Sequence, residues 1–219
     1  MQARKFCPST VGKWLVAWSG VGLSLALAAC GSADNPYSKI SDPPLVAGTL
    51  HVVTLVSDSG ERAREIVAQG YAPVKLPPNY QQADAVEAAL WGVPEPVAAA
   101  VQHFKGDAGR PDLRLLVMPL AARGREADDK VNRAFFRNVL GVDVPRWPLA
   151  RPADDDMRVQ VWTYRVPSII EAGKRMRANG IPVIYDPVAI TTSYLGLQKT
   201  LAIRAPDGTV VQLVEISAQ

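Results

Sequence analysis

The sequence holds two histidines, His51 and His103, and two cysteines, Cys7 and Cys30. These four side chains bound the chemistry on offer. A serine nucleophile needs a histidine base held by an acid, and no Ser here sits in a GxSxG turn. The HExxH pair of zinc proteases and the Gly-rich phosphate loop are both missing. What remains is an imidazole at the start of "LHVVTLVSD" and the polar pair Gln212 and Glu215 in the closing run "APDGTVVQLVEIS". An imidazole and a carboxylate suit a divalent cation, whereas an amide offers a metal only a neutral carbonyl oxygen. His103, in "AVQHFKG", reads as an exposed strand residue. His51 reads either as a hydrogen-bonded residue at a strand start or as a pocket-lining group.

The cysteines belong to the N-terminus. Arg4, Lys5 and Lys13 form a basic segment, and "WLVAWSGVGLSLALAA" follows as an apolar run. That run is short of the roughly 20 residues a permanent membrane helix needs. It ends in "LAAC", where small residues before Cys30 look like the lipobox of bacterial lipoproteins. Residues 1–29 are therefore expected to be a lipoprotein signal peptide, with Cys30 acylated, palmitate among its chains, and joined to the cell membrane. Gly31 in place of an Asp leans toward the outer membrane, with the chain facing the periplasm. An ordinary signal peptide cut after Ala29 is the alternative.

Removing this segment changes the charge. With Arg4, Lys5 and Lys13 set aside, the 24 basic residues fall to 21, equal to the 21 acidic ones. A neutral mature chain argues against a nucleic-acid partner, which needs a basic surface. Cys7 leaves with the signal and Cys30 carries the lipid, so no thiol is left for a disulfide or a metal.

The rest of the chain supplies the frame for those side chains. Residues 30–48 are rich in Ser, Pro, Asp and Gly without an apolar period, and read as a flexible tether. A first module covers 49–120: a strand Leu50–Asp58, a helix in "GERAREIVAQG" with Ser57 or Asp58 as cap, a short strand "YAPVKL", a weak helix or extended run over Ala83–Trp91, and strands "AVQHFKG" and "DLRLLVMPL". Residues 121–156 are charged, with a helix near Asp128–Leu140, and read as a connector covered by its own aromatic side chains. A second module covers 157–219, with a strand in "VQVWTYRVP", a helix in "SIIEAGKRMRANG" and a strand in "IPVIYDP".

The second module repeats the first. A slide of 110 residues lays His51 on Val161, Glu61 on Glu171 and Gly70 on Gly180, and a slide of about 96 lays "DLRLLVMP" on "GTVVQLVE". An internal repeat of this length is one structural unit used twice. The expected fold is α+β: tandem βαβββ modules whose curved mixed sheets surround a cavity.

Tandem βαβββ modules, "RMRANGIPV" and "APDGTVVQLVE" together resemble the vicinal oxygen chelate superfamily, which includes glyoxalase I, bleomycin-resistance proteins and extradiol dioxygenases. The resemblance covers Leu50 to Ser217. It implies four metal-facing positions, one in the first and one in the last strand of each module. Transferred to this chain they fall on His51, Leu116, Val161 and Gln212. Leu116 and Val161 have no donor atom, and Gln212 is an amide where a carboxylate is usual. Glu215 lies three residues on and faces the opposite side of the strand. No cofactor is expected, His51 being the only good metal candidate.

If His51 and Val161 face the cavity, alternation adds Val53, Leu55, Thr163 and Arg165, and sends Trp162, Tyr164 and Val166 under the helices. Gln212 then shares the cavity with Val210 and Val214. The polar points of an otherwise apolar small-ligand pocket are His51, Thr163, Arg165 and Gln212. Arg165 is either an anion contact or an exposed strand-end residue. Tyr185, Tyr194 and "AITTSYLG" resemble a loop over the cavity. Three functions fit: a metal-free protein binding a small apolar or anionic ligand, a metal-dependent lyase or dioxygenase, and an envelope structural or interaction module. Monomer and homodimer both fit.

Overall fold

The computed structural model describes residues 35–40, 45–46, 48–76, 100–107, 109–118, 128–149, 157–192 and 196–216. The signal peptide, Cys30, the Ala83–Trp91 segment and Tyr194 lie outside the described residues. No helix among the described residues is long and apolar enough to cross a membrane.

The first module contains β1 (Thr49–Ser57), α1 (Arg62–Ala68), β2 (Ala72–Val74), β3 (Ala100–Lys105) and β4 (Asp112–Val117). The second contains β5 (Met157–Arg165), α3 (Ile169–Ala178), β6 (Val183–Thr192), β7 (Gly196–Arg204) and β8 (Val210–Ile216). Between them α2 (Asp129–Ala134) runs into a π-helix (Phe135–Leu140). The fold is α+β, with both βαβββ modules in one mixed eight-stranded sheet. Its strand order, β2-β3-β4-β1-β5-β8-β7-β6, is the same in each half when read outward from the centre. β1 and β5 join the halves as an antiparallel pair. β1 is parallel to β4 and β5 to β8, as a strand–helix crossover requires. The modules therefore pair within one chain.

The repeat is visible in the helix ends. Gly70 and Gly180 both take left-handed φ, 90° and 67°, where a side chain would be strained. The cap expected at Ser57 or Asp58 is not used. The N-cap of α1 is Glu61, which makes no side-chain cap hydrogen bond; Ser57 Oγ accepts from Ser59 N instead, and Ser59 Oγ accepts from Glu61 N. Asp128 does cap α2, accepting from Lys130 N at 2.8 Å.

The core lies between the sheet and the helices. Val53, Leu55, Leu113, Leu115, Trp162, Tyr164, Leu201 and Leu213 meet Ile66 of α1, Met176 of α3 and Phe135, Phe136 and Leu140 of the π-helix. A second, smaller cluster lies on the opposite face, which none of the described helices covers and which is called the helix-free face in that sense: Val56, Val101, Leu116, Val161, Ala202 and Val210. The connector's Phe135 and Phe136 are thus part of the main core and are not shielding the connector alone.

The segment over 30–48 is not a free leash throughout. Leu45 and Val46 are buried in the main core. Val46 N donates to Val139 O at 2.8 Å and Leu45 N to Asn138 O at 3.4 Å. Tyr37 packs edge-on against Phe135, centroids 5.3 Å apart, and its carbonyl accepts from Asn138 Nδ2. The apolar pair "LV" has no period of its own, because it packs against a helix about 90 residues away rather than against its neighbours.

Candidate functional site

Two register breaks decide which side chains share a face. β1 and β5 slip between Leu50 and Val52, leaving His51 as an extra residue, and slip again between Thr54 and Leu55. Across the unbroken stretch Val52 sits opposite Thr163 and Thr54 opposite Val161. Even residues of β1 therefore share a face with odd residues of β5. The slide of 110 residues is one residue out of phase in the strands, and a one-residue slip turns every side chain over. Val53 and Leu55, expected in the cavity, belong to the helix-side core. Trp162, Tyr164 and Val166 do pack under the helices as alternation required.

The helix-free face carries an unusual number of buried polar groups. Thr54, His103, Arg114, Thr163, Gln198, Thr200 and Gln212 are all buried. Thr163 and Gln212 are neighbours on β5 and β8. Thr163 Oγ1 donates to Gln212 Oε1 at 3.2 Å. Tyr185 OH and Thr200 Oγ1 are 3.1 Å apart. In the first module His103 sits opposite Arg114, which in turn sits beside Thr54.

His103 is not an exposed strand residue. It is 2% exposed. Burial, reinforced by the Arg114 guanidinium and opposed by Asp112, pushes its pKa down to about 3. Its imidazole is neutral throughout the physiological range. Nothing in "AVQHFKG" marks this strand position as covered.

His51 sits apart from Thr163 and Gln212, whereas Arg165 follows two residues after Thr163 on β5. His51 lines a cleft of about 370 Å³ at the end of the sheet with Leu50, Lys105, Asp107, Arg110 and Asp112. Partial burial lowers its pKa, as do Arg165 and Lys105, while Asp112 raises it. Asp112 is already engaged: it accepts from Lys105 Nζ at 2.9 Å and from Gly106 N at 2.9 Å. Arg165 is exposed at the end of β5, opposite Thr49 and Val214.

The four positions that the resemblance assigns to a metal do not converge here as a set of donors. Leu116, Val161 and Gln212 share the helix-free face, but two of the three are aliphatic. His51 is displaced onto the bulge, and the β1 residues facing with Val161 are Val52 and Thr54. Among the described residues no group of three or more His, Cys, Asp or Glu could hold a metal ion.

Glu215 has a structural task. Its Oε2 accepts from Ile169 N at 2.7 Å, at the first turn of α3. Ser168 Oγ caps the same turn through Glu171 N. Lys199 Nζ lies 3.6 Å from the other carboxylate oxygen. A carboxylate is favoured there because it meets unsatisfied amides and the positive end of the helix dipole. Replacing Glu215 with Ala is expected to cost about 1 kcal/mol of unfolding free energy, and Glu215→Gln less than half of that. Urea unfolding of the two variants measures the difference; equal losses would mean that the hydrogen-bonded oxygen is not what matters.

No protein-family model matches the chain, and no curated protein matches it. Among solved structures, methylmalonyl-CoA epimerase from Mycobacterium tuberculosis is similar at 14% identity and a TM-score of 0.45, covering 82% of this chain and 95% of that one. A hypothetical protein from Bacillus halodurans C-125 is similar at 12% identity and a TM-score of 0.43, covering 78% and 96%. A methylmalonyl-CoA epimerase variant from Streptomyces coelicolor, in complex with 2-nitronate-propionyl-CoA, is similar at 12% identity and a TM-score of 0.42, covering 78% and 99%. Identity this low leaves every site position free to differ, so the chemistry of this chain must come from its own side chains.

Proposed function

We propose that the chain is a lipid-anchored, glyoxalase-like protein of the bacterial envelope that binds a small molecule on its helix-free sheet face without a metal ion. The anchor is a lipid on Cys30, and the folded domain faces the periplasm, on the outer rather than the inner membrane. The observation that carries the binding reading is the hydrogen-bonded pair Thr163 and Gln212, buried on the face where Leu116 and Val161 offer no donor. Buried polar groups among aliphatic neighbours orient a ligand and give specificity. A neutral amide at Gln212 supplies neither the charge a cation needs nor a carboxylate base.

Metal analysis of the purified soluble domain, Ser32 onward, tests the metal-free part. The expected result is no stoichiometric zinc, nickel or iron, before or after incubation with each ion. Gln212→Glu restores a carboxylate and is still expected to bind no metal, because its companions remain Leu116 and Val161. Stoichiometric metal that disappears in His51→Ala would overturn the proposal. Mass spectrometry and membrane fractionation of Cys30→Ala, against the full chain, test the anchor: the acyl chains and the membrane-bound fraction should both be lost.

A further inference from the structure

The second module's share of the helix-free face is a strip of buried amides and hydroxyls. β7 and β8 pair without a break from Gln198 opposite Ile216 to Arg204 opposite Val210. Leu201, Ile203, Val211 and Leu213 all enter the helix-side core. Alternation therefore sends Gln198, Thr200 and Gln212 to the other face. All three are at most 1% exposed. Gln212 commits its carbonyl oxygen to Thr163, and its amide nitrogen has no hydrogen-bond partner. Gln198 has none at either end of its amide. Ala202, the partner of Gln212, is four residue steps along β7 from Gln198, so the strip is about 13 Å long.

Its charge is the second observation. Lys199 points away and meets Glu215. Arg204, at one end, is exposed and donates to Gly208 O. Arg165 borders the strip opposite Val214, also exposed. Among the described residues, the buried part of the strip has only neutral donors and acceptors. The first module differs, since its share of the same face carries the buried Asp112 and Arg114.

We infer that this strip recognises an uncharged carboxamide-type group: a carbonyl oxygen that accepts from Gln212 Nε2 or Gln198 Nε2, beside an N–H that donates to Gln198 Oε1. An amide answers an amide because each supplies one donor and one acceptor. A carboxylate has no proton for Gln198 Oε1, and it would give up its hydration with no buried cation to replace it. A purely apolar ligand would leave three buried polar atoms unsatisfied, which binding sites built on polar groups reject. The inference rests on the proposal that this face is the ligand site, and replaces the apolar or anionic ligand expected from the sequence with a neutral, hydrogen-bonding one.

The isosteric pair acetamide and acetate separates the possibilities. Each is titrated into the full chain, purified in detergent, while nitrogen-15 spectra follow the side-chain amides of Gln198 and Gln212 and the backbone amides of β3, β4, β7 and β8. The side-chain signals are assigned by their loss in Gln198→Leu and Gln212→Leu. Acetamide is expected to give saturable shifts at the side-chain amide of Gln198, of Gln212 or of both, at concentrations at least tenfold below those at which acetate acts. Acetate acting at equal or lower concentration, or shifts confined to β3 and β4 with either probe, would overturn the amide class and leave binding at this face standing. No shift anywhere on the face with either probe would overturn both. Where a variant fails to fold, the backbone amides of β3, β4, β7 and β8 in the wild-type titration decide the matter by the same criteria.

Discussion

Lowering the pH from 7 to 4 is expected to cost the fold about 3 kcal/mol through His103 alone. In the unfolded chain the imidazole takes up a proton near its ordinary pKa of about 6.5. In the folded chain burial and Arg114 hold that proton off until about pH 3. Between those values the unfolded state binds more protons, so stability rises with pH across the window. The contribution is complete above pH 6.5 and is lost as the pH falls toward 3, by about 1.4 kcal/mol per pH unit. Carboxylate protonation adds losses of its own below about pH 5, so the comparison must be with a variant. His103→Gln should shrink the difference in unfolding free energy between pH 7 and pH 4 by about 3 kcal/mol. A ring resonance of His103 that titrates near pH 6.5 in the folded protein would refute the argument outright. Against a typical domain stability of about 5–15 kcal/mol, this one side chain removes roughly a fifth to three fifths of the margin.

His103 also shows where sequence reasoning stops. Alternation assigned side chains to faces correctly wherever a strand stayed in register. In β8 the count from the "PDG" turn separates Gln212 from Glu215, and the two indeed point apart, one to Thr163 and the other to the α3 amides. The repeat gave the order of elements because helix ends, such as Gly70 and Gly180, tolerate an error of one residue in alignment. Strands do not. The bulge at His51 moves β1 out of phase with β5, the second slip beyond Thr54, with Gln160 as the extra residue, brings it back, and no residue in "LHVVTLVSD" or "VQVWTYRVP" announces either. Bulges answer to the partner strand, and the partner is about 110 residues away. Burial on the helix-free face was hidden for a similar reason. A polar residue on a strand reads as solvent-facing unless something distant packs across it, so His103, Gln198 and Gln212 carry no local mark of being inside.

Replacing Leu45 and Val46 together with Ala is expected to destabilise the domain by about 4 kcal/mol, although both lie in a stretch whose composition is that of a linker. The reason is where the pair goes. Leu45 and Val46 are 6% and 4% exposed, packed with the residues that join α2 and the π-helix to the sheet. Truncating a buried Leu costs about 2–5 kcal/mol and a buried Val somewhat less, since the cavity does not collapse fully. Their amides close the end of the π-helix through Asn138 O and Val139 O, carbonyls in its last turn with no later helical amide to meet. Gly48 then lets the chain pass within van der Waals reach of β5: a Cβ there would stand 2.6 Å from Arg165 O. Pro43 and Pro44 ahead of the pair, and Gly48 after it, are what a linker and a docked strap have in common, so composition could not separate the two. Stability can. In a free leash the double substitution would change nothing, and in a docked strap it lowers the urea midpoint while leaving the slope unchanged. Lys39→Ala, an exposed change in the same segment, is the control and is expected to cost no more than about 1 kcal/mol, the upper end for a surface polar contact. A loss below about 1 kcal/mol for the Leu45 and Val46 pair would return the segment to a linker and leave the π-helix to be held by Phe135 and Phe136 alone.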